Sequence, residues 1–261
     1  MATFRSWQSY AVFSHSIKRK ARYILEKDAE DFLAAVLATS NSRRKEIKTG
    51  SVFWRAQLGH GRRTVRQDSE EYELREALPR DRMKPLRHAA REGRTNPKGL
   101  PYLYLATDRK TAMAEVRPWV GSFVSVGQFK TLRDLVLVDC SVEHGTAYFV
   151  YFEEPSDEQK ETVVWADIDR SFSEPVNPDE STADYAPTQV LAELFRHNGF
   201  DGVVYKSLLG EGRNVTLFDI DTAELLNCFL YSVRSVSFRF NKVEDSYFVK
   251  KPAEPAEPRD V

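Results

Sequence analysis

The sequence predicts an α+β protein: a split, twisted and mostly antiparallel β-sheet around a cleft, with flanking helices and a small helical extension at the N-terminus. Three observations carry that prediction. Short runs rich in aromatic and β-branched residues, SVFWRA at 51–56, YLYL at 102–105, VVY at 203–205 and VTLF at 215–218, are bounded by turn formers, which is the pattern of strands closed by turns. Between them lie segments whose apolar residues recur at three- and four-residue intervals, the helical period. The 261 residues contain no internal repeat and suit one large domain with a small appendage, long enough to bury a proper core.

Residues 14–37 read as one helix, with Ile17, Tyr23, Ile24, Phe32, Leu33, Val36 and Leu37 interleaved with charged residues. The cluster Lys18, Arg19, Lys20 and Arg22 reads as the solvated face of that helix. Residues 41–48 are polar and basic, a connector into the main domain. The expected organisation is therefore an N-terminal helical extension (1–50), a main domain (51–245) and a Pro- and Glu-rich tail (246–261) whose composition predicts disorder. In the first strand, 51–56, Arg55 interrupts an apolar run. A cation in a core strand is costly unless it is paired or faces a ligand, so either a salt bridge or an anion site is implied. Residues 62–91 are strongly charged and read as an insertion or mobile loop with a short helix.

The chain is organised around residues 93–118, GRTNPKGLPYLYLATDRKTAMAEVRP. Gly93, Asn96, Pro97 and Gly99 form turns, and Arg94 among them is a planar cation suited to phosphate oxygens. Residues 102–105 make a buried strand. Thr107 or Asp108 then caps a helix over 109–116, which Pro118 ends. Glu115 falls in the last turn, where the helix dipole disfavours a carboxylate by about 0.3–1 kcal/mol. Either Arg117 offsets that cost, or the carboxylate serves a substrate whose transition state becomes positive.

Strands follow at 123–129 and 135–139, and 148–152 either adds to the first of these or begins a helix. Residues 153–184, acidic and rich in Pro and Ser, read as a long surface excursion that Val163, Val164 and Trp165 anchor, a candidate lid. A helix over 188–196 stops at Gly199. In 200–219 one strand ends at Ser207, Gly210 and Gly212 supply a turn, and a return strand follows. Ser207 lacks the G-x-S-x-G context of a hydrolase nucleophile, which leaves a hydroxyl that bonds substrate or a plain turn serine. Residues 225–240 close the domain with Val236, Phe238 and Phe240 alternating against Ser237 and Arg239, the pattern of a half-exposed strand.

With 38 basic and 39 acidic residues the net charge is -1, so no bulk field argues for direct binding of nucleic acid or an anionic membrane. Cys140 and Cys228 lack metal-site spacing and read as buried thiols in a reducing cytosol. The five histidines are scattered, so no metal is expected. No run reaches membrane-spanning length and the N-terminus lacks signal-peptide order, so the expectation is a soluble cytoplasmic protein.

Three units in this order, FWRAQ at Arg55, the 93–118 stretch, and FDGVVYKSLLGEGRNV at 200–215, resemble the RES domain, named for its Arg, Glu and Ser. The resemblance runs from about residue 51 to the strand around Phe218 and takes in YAPTQVLAELFRHNGF at 185–200. The N-terminal extension and the charged segment 62–91 exceed a minimal RES domain. The family resemblance implies a fold like that of bacterial ADP-ribosyltransferase toxins and a toxin of an Xre-type toxin–antitoxin pair that destroys NAD by phosphorolysis or hydrolysis. Position by position, it implies Arg55, Glu115 and Ser207 as the catalytic residues and Arg94, Tyr104 and Asn96 as substrate-binding residues. NAD is then a substrate rather than a cofactor, inorganic phosphate is a candidate co-substrate, and a protein antitoxin is the expected partner, with a homo-oligomer left open.

NAD carries its glycosidic bond to a cationic leaving group, so nicotinamide departs without a general acid and leaves an oxocarbenium-like ribose. A carboxylate aimed at that charge stabilises the transition state more than the ground state, the role that falls to Glu115. Arg55 and Arg94 would clamp the diphosphate, Tyr104 would stack, and Ser207 would hydrogen-bond the phosphate or ribose. An ADP-ribosyltransferase acting on a macromolecule, or an NAD-binding module without turnover, remain the alternatives.

Overall fold

The computed structural model describes residues 3–67, 70–145, 155–174 and 182–241. Its N-terminal stretch is two helices rather than one, α1 (Ser9–Arg19) and α2 (Lys27–Ser40). Tyr10, Phe13 and Ile17 form the buried stripe of α1, and Ala29, Phe32, Leu33 and Val36 that of α2. Tyr23 and Ile24 fall in the break between them and stand 97% and 85% exposed, so the single apolar stripe expected over 14–37 is two stripes meeting where Phe13 stacks on Phe32 at 4.4 Å.

The remaining elements are β1 (Arg44–Ile47), β2 (Val52–Leu58), β3 (Gly61–Gln67), β4 (Glu70–Glu76), α3 (Arg80–Met83), β5 (Leu103–Ala106), α4 (Arg109–Glu115), β6 (Phe123–Thr131), β7 (Leu135–Asp139), α5 (Asp157–Ser173), α6 (Ala186–His197), β8 (Gly202–Lys206), β9 (Arg213–Leu217) and β10 (Ala223–Ser232). Eight strands form one sheet in the order β1-β7-β8-β9-β5-β2-β6-β10. Every neighbouring pair is antiparallel except β7 and β8, which are parallel because the connection between them crosses over through α5 and α6. The class is α+β with a mostly antiparallel sheet flanked by helices.

The sheet is nearly divided at one seam. β2 pairs with β6 along its whole length, from Val52↔Lys130 to Leu58↔Val124, but touches β5 at the single register point Trp54↔Ala106. Strand alternation sorts the core on either side of the sheet. Leu103, Leu105, Val204, Val215 and Leu217 pack on one face with Phe53 and Phe129. Tyr102, Val203 and Tyr205 point to the other, where Phe13, Phe32, Trp165, Phe172 and Phe195 of α1, α2, α5 and α6 cover them.

Several local expectations change. Residues 44–47, read as part of a connector, add strand β1 to the sheet edge, because their backbone pairs with β7 whatever their polar side chains prefer. The charged segment 62–91 begins as an exposed hairpin of β3 and β4, a separate two-stranded sheet. The surface excursion at 153–184 contains the 17-residue helix α5, opened by a Ser156–Gln159 capping box, with Val163, Val164, Trp165, Ile168 and Phe172 buried. Its acidic composition hides a three- and four-residue apolar spacing. The last strand ends at Ser232, before the 236–240 alternation. The segment 148–152 and the tail 246–261 lie outside the described residues. Among those described, no helix is long and apolar enough to cross a membrane, and no cluster of His, Cys, Asp and Glu suits a metal.

Candidate active site

Helix α4 is seated against the turn between β8 and β9, and that docking positions the acid. Asp108 caps the helix, its carboxylate accepting from Thr111 N at 2.9 Å and Thr111 Oγ1 at 2.7 Å. Thr111 Oγ1 in turn accepts from Gly212 N at 3.0 Å, and Thr107 Oγ1 accepts from Arg213 N at 3.0 Å. Two glycines permit this approach: a Cβ at Gly212 would lie 1.9 Å from Asp108 Oδ2, and one at Gly210 2.5 Å from Thr111 Oγ1. Lys206 Nζ fastens the turn from its other side by donating to the carbonyls of Glu211 and Gly212.

The helix ends at Glu115, and Arg117 stands in the left-handed region at φ 46, its N–H donating to Ala114 O at 2.9 Å. That position after a helix is usually glycine's, and a side chain there costs on the order of 1 kcal/mol. Arg117 is not the counterion of Glu115. Glu115 Oε1 accepts from Ser207 Oγ at 2.6 Å and from Asn214 Nδ2 at 2.7 Å, both neutral donors. Ser207 Oγ itself accepts from the amides of Leu209 at 3.2 Å and Gly210 at 3.0 Å. Its one proton goes to Glu115 and its lone pairs to the turn, so the hydroxyl assigned to substrate is engaged within the protein.

Arg55 projects from β2 into the seam, where its NH1 donates to the carbonyl of Tyr104 at 2.9 Å. Because β2 and β5 pair at only one point, the side chain occupies space that a continuous ladder would close. Among the described residues Arg55 has no ion-pair partner, and its Nε is enclosed without a hydrogen bond although the residue as a whole is half-buried. Burial pushes its pKa down to about 10, which still leaves a cation at neutral pH. Of the two readings open for this arginine, the structural salt bridge finds no partner among the described residues.

The loop before β5 is held by its own polar groups. The Tyr104 hydroxyl donates to Asn96 Oδ1 at 2.6 Å and accepts from Thr95 N at 3.1 Å and Thr95 Oγ1 at 2.7 Å. Asn96 Nδ2 donates to the carbonyls of Arg91, Pro97 and Leu100 at 2.9, 3.1 and 2.8 Å. Asn96, expected to touch substrate, is a buried staple of this loop, its amide filled by backbone carbonyls that a turn leaves unpaired. Arg94 NH1 donates to the carbonyls of Phe172 and Glu174 at the end of α5, where a cation complements the helix dipole. Arg94 thus bridges the loop to α5 through part of its guanidinium.

The expected residues share one electrostatic neighbourhood. Burial raises the pKa of the Tyr104 phenol, and the charges of Arg55 and Arg94 oppose that shift. The buried Tyr205 is pushed further up by desolvation first, with Tyr104 and Glu115 adding to the rise and Arg94 opposing it. A carboxylate held by neutral donors and a half-buried guanidinium with no carboxylate partner among the described residues suit a ligand that carries an anion next to a centre becoming positive. Asn214 was missed from the sequence. Its signal was an amide inside a strand, a poor strand former beside Val215 and one position out of phase with the apolar face. A cavity of about 1050 Å³ lies between the N-terminal segment, α1, α2 and α5, and none of its lining residues belongs to this site.

The family model for the RES domain matches residues 71–241, which include Glu115, Asn214 and Ser207 and leave Arg55 before the matched segment. No curated protein matches the chain. Among solved structures, the chain is similar to one from the crystal structure of the M. tuberculosis MbcT-MbcA toxin-antitoxin complex, with 14% identity, 76% of this chain and 92% of that chain covered, and a TM-score of 0.41.

Proposed function

Because the chain belongs to the RES domain family, we propose that it is an enzyme that cleaves the nicotinamide–ribose bond of NAD, with phosphate or water as acceptor. The observation that supports this reading is the hydrogen bond between Ser207 and Glu115, 92 residues apart in sequence and 2.6 Å apart in space, the hydroxyl and the acid of the RES motifs. Glu115 meets the positive charge that develops on the ribose as nicotinamide leaves. Ser207 and Asn214 bond its carboxylate as neutral donors and bring no cation to it. Arg55 supplies a fixed positive charge in the seam that draws the diphosphate, and the part of the Arg94 guanidinium not bound to α5 adds to it. The ring of Tyr104, its hydroxyl already anchored, offers a fixed aromatic surface for stacking. A toxin role with a protein antitoxin extends the proposal from family membership alone.

The test is to incubate purified protein with NAD, with and without inorganic phosphate, and follow nicotinamide and the ribose product by chromatography. Nicotinamide release is expected, with ADP-ribose 1″-phosphate appearing if phosphate is the acceptor and free ADP-ribose if water is. Glu115→Gln keeps the hydrogen-bonding shape and removes the charge, and turnover should fall about 100- to 1,000-fold. Turnover by Glu115→Gln at the wild-type rate, or NAD left intact by the wild type, would sink the reading. Arg55→Ala should raise the apparent KM for NAD about tenfold or more through the lost charge; an unchanged KM would take Arg55 out of substrate binding.

A further inference from the structure

We infer that Asn214 is a positioning residue that works with Ser207 to hold Glu115 by one oxygen and present the other to substrate. This rests on the reading of Glu115 as the group that stabilises the ribosyl cation.

Both protein donors converge on Oε1, Ser207 at 2.6 Å and Asn214 at 2.7 Å. Among the described residues, none donates to Oε2. The two donors come from opposite sides of the Gly-rich turn: Ser207 directly follows β8, and Asn214 lies in β9 across from Tyr205. Asn214 also pairs in register with Ala106 of β5, so its backbone is locked on both sides, and the residue is 8% exposed. A carboxylate with a single donor still swings about its last torsion, which is soft for an sp³–sp² bond. Two donors from fixed backbones, fastened through Lys206, Thr111 and the amides of Leu209 and Gly210, remove that freedom.

The chemistry of the donors matters as much as their number. A lysine or arginine in place of Asn214 would hold the carboxylate equally well but would neutralise the charge that the transition state needs. An amide orients the group and leaves its charge intact. Ser207 cannot do this alone, since its only proton is already used, and the Glu115 oxygen it bonds is the one that Asn214 completes.

The experiment compares kcat and KM of NAD cleavage for wild type, Asn214→Ala and Asn214→Asp. Asn214→Ala should lower kcat about 10- to 100-fold and leave KM within about threefold. Asn214→Asp is isosteric and preserves packing, but it sets a second carboxylate against Glu115. It should lose more activity than Asn214→Ala at neutral pH, again in kcat. A kcat within threefold of wild type in both variants would overturn the inference. So would a loss confined to KM, which would make Asn214 a substrate contact. Should the wild type itself leave NAD intact, the enzymatic reading falls and this inference with it, whereas an active wild type with indifferent variants removes this inference alone.

Discussion

The seat of Glu115 and the β3–β4 hairpin are both dense in polar contacts, yet the two are built to different ends. In the hairpin, Arg62 pairs with Glu73 at 2.7 Å, Arg63 with Glu76 at 3.7 Å and Arg66 with Glu71 at 2.5 Å, all between side chains 47–80% exposed. These pairs close within the hairpin itself, and Arg75 ties it to the body by lying over the Phe123 ring at 4.6 Å. Around Glu115 the contacts form a chain through buried or half-buried groups from different elements: Asp108 to Thr111, Thr111 to Gly212, and Ser207 and Asn214 to Glu115. In the hairpin water replaces a lost partner, whereas around Glu115 the loss of one partner disturbs every group linked to it. Burial and linkage, rather than the number of contacts, set what each one contributes.

Three substitutions test that contrast. The largest effect is expected from Gly212→Ala, whose added methyl would collide with the capping carboxylate of Asp108 and push the turn off α4. A loss of about 2–3 kcal/mol in denaturant unfolding is expected, together with most of the NAD-cleaving activity. A loss below about 0.5 kcal/mol would mean that the turn yields freely and that the seat is not rigid. Asp108→Ala removes the cap itself and should cost about 1 kcal/mol, with a smaller drop in turnover than Gly212→Ala causes. If stability fell while turnover held, the cap would serve the helix without serving the acid. Arg62→Ala in the hairpin should change stability by less than about 0.5 kcal/mol and leave turnover unaltered. A larger shift there would erase the distinction between the two regions.

Some of the site was legible in one dimension because its physics is local. The cap before α4, the end of that helix at Glu115 and the turn at Gly210 and Gly212 all follow from side-chain preferences within a few residues, and each is found in the structure. Arg55 was legible as an anomaly, a charge in an apolar strand, but its resolution was not, since its hydrogen-bond acceptor is the carbonyl of Tyr104, 49 positions away. Asn96 was legible as a turn former, but its hydrogen bonds to the carbonyls of Arg91, Pro97 and Leu100 depend on how the loop closes. The helix over 157–173 was hidden by its acidic outer face, and the break at 20–26 by two apolar residues that stand in solvent.

Legible along the chain are the parts: an α+β class, six strands of the main sheet, the helices α4 and α6, and the Arg, Glu and Ser units in RES order. These depend on turn chemistry, capping and periodicity, which act over one or two turns of chain. How the parts meet is settled only in three dimensions. The near-parting of β2 from β5, the fork of Ser207 and Asn214 on one oxygen of Glu115, and the unpaired charge of Arg55 arise where strands distant in sequence lie side by side. Hydrogen bonding is short-ranged and directional, so no propensity along the chain encodes which distant donor will arrive within 3 Å.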